Sequence, residues 1–227
     1  FFASCAQHPE YPKYPEPVSF NNIEVKGRLK KRTEANFLRL EKGRYLPDSI
    51  YLIPNPEYHQ TEWPGDLPGR LVLGQTLLEQ ATHRKAKNLS EILDEFPEHM
   101  NEKGYFGKIY KDKINEQQLS GHGWVLRALC EHYQYTKDPK TKTMLEQMVE
   151  NLVLPTKGMH KNYPIDPGIR EEAGSFMGTH LKEYGKWILS TDIGCDFIFM
   201  DGVVHAYEIL QTEDLRQISE EMINRFL

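Results

Sequence analysis

The chain has 227 residues, a formal net charge of -5, 39% hydrophobic and 27% charged residues. That balance is ordinary for a globular protein and supplies one large domain or part of a larger one. An acidic total with no extended basic tract excludes a general nucleic-acid binder, and no run reaches the ~18 apolar residues of a membrane-spanning helix.

Residues 1–20 read as an extended lead-in, rich in Pro (Pro9, Pro12, Pro15, Pro17), with no fold of its own. The start Phe1-Phe2-Ala3-Ser4-Cys5-Ala6-Gln7 resembles the tail of a bacterial export signal. Cys5 then reads as a lipid-modified residue, or cleavage falls after Ala6; an arbitrary chain start is the plainer alternative. The expected location is therefore exported, as a periplasmic protein or an outer-membrane lipoprotein of a bacterium. Cys5, Cys130 and Cys195 show no C-x-x-C spacing and so no zinc or redox motif.

Residues 21–227 read as one helical-hairpin domain. Ile23–Val25 is expected to be a short strand, and 28–42 a helix on Leu29, Ala35, Phe37, Leu38 and Leu40. Lys30-Lys31-Arg32 there reads as a solvated helix face. The loop 45–65 is crowded with Tyr45, Tyr51, Tyr58, His59, Glu62 and Trp63. Helical spacing returns from Leu67 to Arg84, and again in a helix capped by Asn88 or Ser90 with Ile92, Leu93, Phe96 and Met100 on its apolar face. A brief strand is expected at 105–111. A helix from Val125 to Lys137 is followed by Asp138-Pro139, a new start, and a helix on Met144, Leu145, Met148, Val149 and Leu152 that ends at Pro155. A turn-rich connection fills 155–178, a helix is expected over 179–190, and the last two helices are 203–211 and the one carrying Leu215, Ile218, Met222, Ile223 and Phe226. The apolar face of that last helix calls for a covering partner.

Three of these helices share an opening. Trp63-Pro64-Gly65-Asp66, Ser120-Gly121-His122-Gly123-Trp124 and Asp201-Gly202 each place Gly and one ionisable residue before an apolar run. Repeated helical hairpins bury their apolar faces against one another. If such an array curls, Asp66, His122 and Asp201 meet in one cleft. A His at a helix start stays neutral beside the positive dipole end and can hydrogen-bond a sugar hydroxyl; packing in a tight turn is its other reading. Asp66 and Asp201 are also ordinary helix caps. Trp63 and Trp124 offer flat faces for a sugar ring, or core packing. Glu62, Glu116, Glu171 and Glu172 are carboxylates available for acid–base chemistry, with Glu116 and Asp201 the catalytic candidates, since glycosidases work with two carboxyls. Cys195 reads as a buried small apolar group.

The stretch Asn115-Glu116-Gln117-Gln118-Leu119-Ser120-Gly121-His122-Gly123-Trp124-Val125-Leu126-Arg127-Ala128-Leu129-Cys130-Glu131-His132-Tyr133, followed by Tyr135-Thr136-Lys137-Asp138, resembles the helix-opening segment of the β-L-arabinofuranosidase-like glycoside hydrolases (family 127 and relatives). Lys26 to Asn36 is similar to that family's N-terminal helix. The resemblance implies an all-α fold of helical hairpins forming part of an (α/α)6 toroid, with minor short strands. It also implies exo-acting glycoside hydrolysis of plant-type polysaccharide or oligosaccharide in a bacterial envelope. By it, His122 binds sugar at the cleavage subsite while Asp66 and Asp201 line the cleft. Asn115 stands where the family has a His, and the segment around Asp66 matches only loosely. The family's nucleophilic Cys, set in a zinc cluster with Glu, belongs to the later half of the barrel and has no counterpart here. The resemblance thus implies an N-terminal half, no cofactor of its own, zinc only with the other half, and as partners a carbohydrate together with a C-terminal half or a second subunit. A lyase or unsaturated-glycuronyl hydrolase of the same fold would need cationic clamps, for which Arg70, Arg127 and Arg170 are placed. A non-catalytic helical binding module would leave the helix-start residues pointing outward.

Overall fold

The computed structural model describes residues 23–51, 63–171, 182–190 and 193–227. The expectations for Cys5, Tyr58, His59, Glu62 and Glu172, and for residues 179–181, fall outside them. The described fold is helical with one small sheet. Its helices are α1 (Gly27–Leu40), α2 (Pro47–Ile50), α3 (Asp66–Thr82), α4 (Leu89–His99), α5 (Glu116–Thr136), α6 (Pro139–Met148), α7 (Pro167–Glu171), α8 (Gly194–Leu210) and α9 (Glu213–Phe226). The strands are β1 (Ile114–Asn115), β2 (Lys182–Tyr184) and β3 (Trp187–Leu189), in the order β1-β3-β2, with β1 parallel and β2 antiparallel to β3.

The long helix α5 is the axis of the molecule, with α3 on one side and α8 on the other. Both neighbours run parallel to it. Gly69 lies against Trp124 and Val125, and further along Gln80 bonds Glu131. On the other side Gly123 meets Ile198, and Arg127 meets His205. Close approach fixes this layer. A Cβ on Gly123 would sit 2.3 Å from the Ile198 carbonyl oxygen, and one on Gly202 would sit 2.6 Å from the Gly123 carbonyl oxygen. Neither position has room for any side chain.

Each inner helix turns back through a short connection into a partner. The ring of Phe226, at the end of α9, lies 4.4 Å from that of Phe197 near the start of α8, so these two are antiparallel. The core lies between the layers. Leu126, Leu129, Leu145, Met148, Phe199, Val203, Leu215 and Ile218 are fully buried, with Ile92 and Phe96 of α4 completing it. At roughly 1.5–3 kcal/mol for each large apolar side chain buried, this interface is what holds the helices in place.

Several boundaries differ from the sequence reading, for physical reasons. Helix α5 opens at Glu116, nine residues before Val125, because the Asn115 side chain caps it, accepting from the N–H groups of Gln117 and Gln118. Gly121, Gly123 and Gly202 therefore lie inside helices, where they serve close packing and not turning. Helix α8 likewise opens at Gly194 and not after Asp201. The expected helix over 179–190 is, in its described part, the hairpin β2–β3, turned at Gly185 with φ +58. Among the described residues Ile23–Val25 has no strand partner, and 105–111 contributes a single bridge between Phe106 and Met100. The helix from Pro139, expected to end at Pro155, is an α-helix only as far as Met148. After Met148 it continues through a wide π turn over Val149–Val153 and a tight turn over Leu154–Thr156.

Candidate functional site

Helix α3 begins directly after Gly65, whose φ of 84 lies in the left-handed region that glycine adopts freely. That turn sends Asp66 to the side of the inner layer away from the core. Asp66 does not cap its helix; its carboxylate accepts from Arg70 Nε at 3.0 Å, one turn on. The Arg70 guanidinium in turn lies 4.4 Å over the Trp124 ring. Trp124 is half-buried, and its indole N–H has no partner among the described residues.

One turn further along α5, Arg127 continues the row. It reaches Glu131 at 3.4 Å and Asp201 at 3.7 Å, and it bonds the ring of His205. His205 Nδ1 also lies 2.7 Å from the Asp201 carbonyl oxygen. Asp201 is exposed. Three parallel helices thus present one open polar surface: Asp66 and Arg70 from α3, Trp124, Arg127 and Glu131 from α5, and Asp201 and His205 from α8.

His122 does not join it. Two helical positions before Trp124, at 100° each, turn it to the far side of α5. There it is fully buried. Its Nε2 accepts from the Phe106 N–H at 2.9 Å, so Nδ1 carries the proton and donates to the Gln118 carbonyl at 2.7 Å. Burial pushes its pKa down to about 4, so the ring stays neutral. Of the three residues expected to converge, the structure brings Asp66 and Asp201 onto one surface and turns His122 into the core. Trp63 is half-buried and lines a separate pocket with Tyr51, His99 and Phe106.

Glu116 sits in a second polar assembly, and this one is closed. Its carboxylate accepts from Arg170 Nη1 at 2.7 and 2.9 Å, from the Tyr163 hydroxyl at 2.8 Å, and from the Ser190 N–H. Arg170 also donates to the Pro164 and Ser190 carbonyls. Burial raises the Glu116 carboxyl, and Arg170 opposes it. With donors alone facing it, the ionised form is the one this geometry serves. Burial likewise raises the Tyr163 hydroxyl, which remains a donor. The assembly ties the connection after α6, and strand β3, to the start of α5. Beside it His160 Nδ1 lies 3.2 Å from the Asp196 carboxylate, both fully enclosed.

The open surface can position a ligand. Within it stand cations, carboxylates, an aromatic face and an imidazole, with each described carboxylate of the row paired to an arginine. Among the described residues, no three His, Cys, Asp or Glu side chains gather as a metal ion requires, and no helix is long and apolar enough to cross a membrane. Cys130 and Cys195 are buried thiols. Arg127, Glu131 and His205 were not among the expected sugar contacts. Their signal was present as four-residue spacings, Asp66 to Arg70, Arg127 to Glu131 and Asp201 to His205, which put each pair on one helical face. Comparison of the chain with protein-family models, with curated proteins and with solved structures finds no match.

Proposed function

We propose that this chain is the substrate-contacting part of a carbohydrate-active protein, a glycoside hydrolase of the (α/α)6 type acting on plant-type oligosaccharide or polysaccharide in a bacterial envelope. The observation that carries the reading is the open polar row running from Asp66 through Trp124 to Asp201 across three parallel helices. Parallel inner helices backed by antiparallel outer ones are the arrangement a toroid repeats. A surface of charged hydrogen-bonding groups around one indole suits sugar hydroxyls and a sugar ring. The likeness of 115–138 to family 127 supports the same reading. The acid and nucleophile are assigned to a partner half of the barrel, supplied by further chain or by a second subunit, together with any zinc.

The charge of the row argues for a neutral sugar over a uronate. Arg70 is paired with Asp66, and Arg127 is held between Glu131 and Asp201. Carboxylates outnumber guanidiniums there. A uronate would meet repulsion before it met a free clamp, and Arg170, the third candidate clamp, is committed to Glu116 in the interior. The lyase reading is correspondingly weaker. A non-catalytic binding module is the second reading, favoured by the pairing of each described carboxylate of the row with an arginine.

The test is isothermal titration of the purified chain with neutral arabino- and xylo-oligosaccharides and with oligogalacturonate. Saturable binding of a neutral sugar, weakened about tenfold or more by Asp201→Asn with the fold intact, is the expected result, a loss of roughly 1.4 kcal/mol. Binding of oligogalacturonate alone would overturn the neutral-sugar reading. Hydrolysis by the chain alone would exclude the binding module.

A further inference from the structure

The first half of α1 stands away from the body of the protein. Between residues 24 and 36 only Val25 and Thr33 are even half-buried, and the helix is anchored through Phe37 and Leu40 near its end. Residues 24–32 hold five cations, Lys26, Arg28, Lys30, Lys31 and Arg32, against one Glu, a local +4 in a chain of net charge -5. Lys26 pairs with Glu24 at 2.8 Å. The other four have no ion pair among the described residues, whereas Arg70, Arg84, Lys85, Arg127, Lys140, Lys157 and Arg170 all do.

A solvated helix face does not account for this. Solvated helices interleave cations with acids at four-residue spacing, which here only Lys30 and Glu34 have, and they place acids, not bases, in the first turn. Here the first turn has no acidic residue, and the N-cap Lys26 gives no side-chain cap. The cations sit at the positive end of the helix dipole, and Arg28 and Arg32 repel each other across one turn. Each of these local costs is removed by an anionic neighbour. Amid the cations project Leu29, 65% exposed, and Ile23, 38% exposed.

We propose that the N-terminal half of α1 docks on an anionic lipid surface, its lysines and arginines at the headgroup phosphates and Leu29 and Ile23 inserted between them. Basic amphipathic segments bind such surfaces through this combination. Long, flexible lysine and arginine side chains let cations on several sides of the helix reach one planar, diffuse charge layer. A nucleic-acid duplex would satisfy the cations and offer nothing to Leu29 and Ile23, while its extended charge would repel the acidic body.

The experiment is co-sedimentation of the full chain with vesicles of phosphatidylcholine alone and of phosphatidylcholine with about 30% phosphatidylglycerol, at low salt and at about 0.5 M NaCl, where charges are screened within a few ångströms. The expected result is binding to the anionic vesicles only, released by salt. Each cation near such a surface contributes about a fivefold factor, so Lys30→Gln/Lys31→Gln should weaken binding roughly 25-fold. These side chains are exposed, so circular dichroism should be unchanged. Arg28→Gln/Arg32→Gln repeats the test on the opposite side of the helix. Equal sedimentation with both vesicle types, unchanged binding by both double variants, or capture of a duplex oligonucleotide without vesicle binding would each overturn the proposal.

Discussion

Two assemblies of arginine and carboxylate lie along α5, one at its start around Glu116 and one about three turns on around Arg127, and their difference is one of enclosure. Around Glu116, Arg170, Tyr163 and the Ser190 N–H all donate to the carboxylate and water is shut out. Around Arg127, the same chemistry is half-exposed and unsaturated. Removing ions from water costs several kcal/mol apiece, recovered only with complete hydrogen bonding. The closed assembly therefore holds the fold together and is unfit to bind anything else. The pairs Arg70–Asp66 and Arg127–Asp201 each have one partner about half exposed; such pairs contribute about 0–1 kcal/mol and are free to exchange for a ligand.

The largest effect that sharpens this contrast is Arg170→Met. It leaves Glu116 buried without its counter-ion and should cost about 3–5 kcal/mol in urea unfolding. A cost below about 1 kcal/mol would mean that water reaches the site. Next is Gly202→Ala, which drives a Cβ into the Gly123 carbonyl and should destabilise by about 1–3 kcal/mol by prising α8 from α5.

Then comes a pH effect from His122. Its folded pKa, about 4, lies below the unfolded value near 6.5. The unfolded chain therefore binds more protons between these limits, so stability is complete above about pH 6.5 and falls as pH drops towards 4. The loss is on the order of 3 kcal/mol at 1.36 kcal/mol per unit. His132, whose pKa burial also lowers, acts with the same sign. Urea midpoints from pH 7 to pH 4.5 in wild type and His122→Gln should converge at the acid end. Parallel curves would exclude His122 as a source. The smallest effect is Arg70→Gln, which breaks an exposed four-residue pair and should shift stability by under about 0.5 kcal/mol while altering ligand binding.

The hairpin architecture was legible because apolar residues at helical spacing mark it directly. Leu71, Leu126, Leu129, Leu145, Met148, Leu215 and Ile218 are all core, whereas Leu67, Leu73, Leu77 and Leu78 are half-buried and Val72 takes the core position beside Leu71. The starts of α5 and α8 were not, because Gly121, Gly123 and Gly202 carry the same letters whether they turn a chain or let two helices touch. That ambiguity also misplaced His122: read as the opening of a helix it faced a cleft, and in the middle of one it faces the core. Asp66 and Asp201 were legible as a pair on the strength of the repeat. Their arginine and histidine partners were written at four-residue spacing. The Glu116–Arg170–Tyr163 assembly was not, since its members lie 47 and 54 residues apart and only tertiary structure joins them.

The most direct test of this division is titration of Arg127→Ala with the neutral oligosaccharide that wild type binds, alongside its urea midpoint. The account predicts affinity lowered about tenfold or more, with stability changed by less than about 1 kcal/mol. Unchanged affinity, or unfolding in place of lost binding, would contradict it and make the open row a structural element like the closed one.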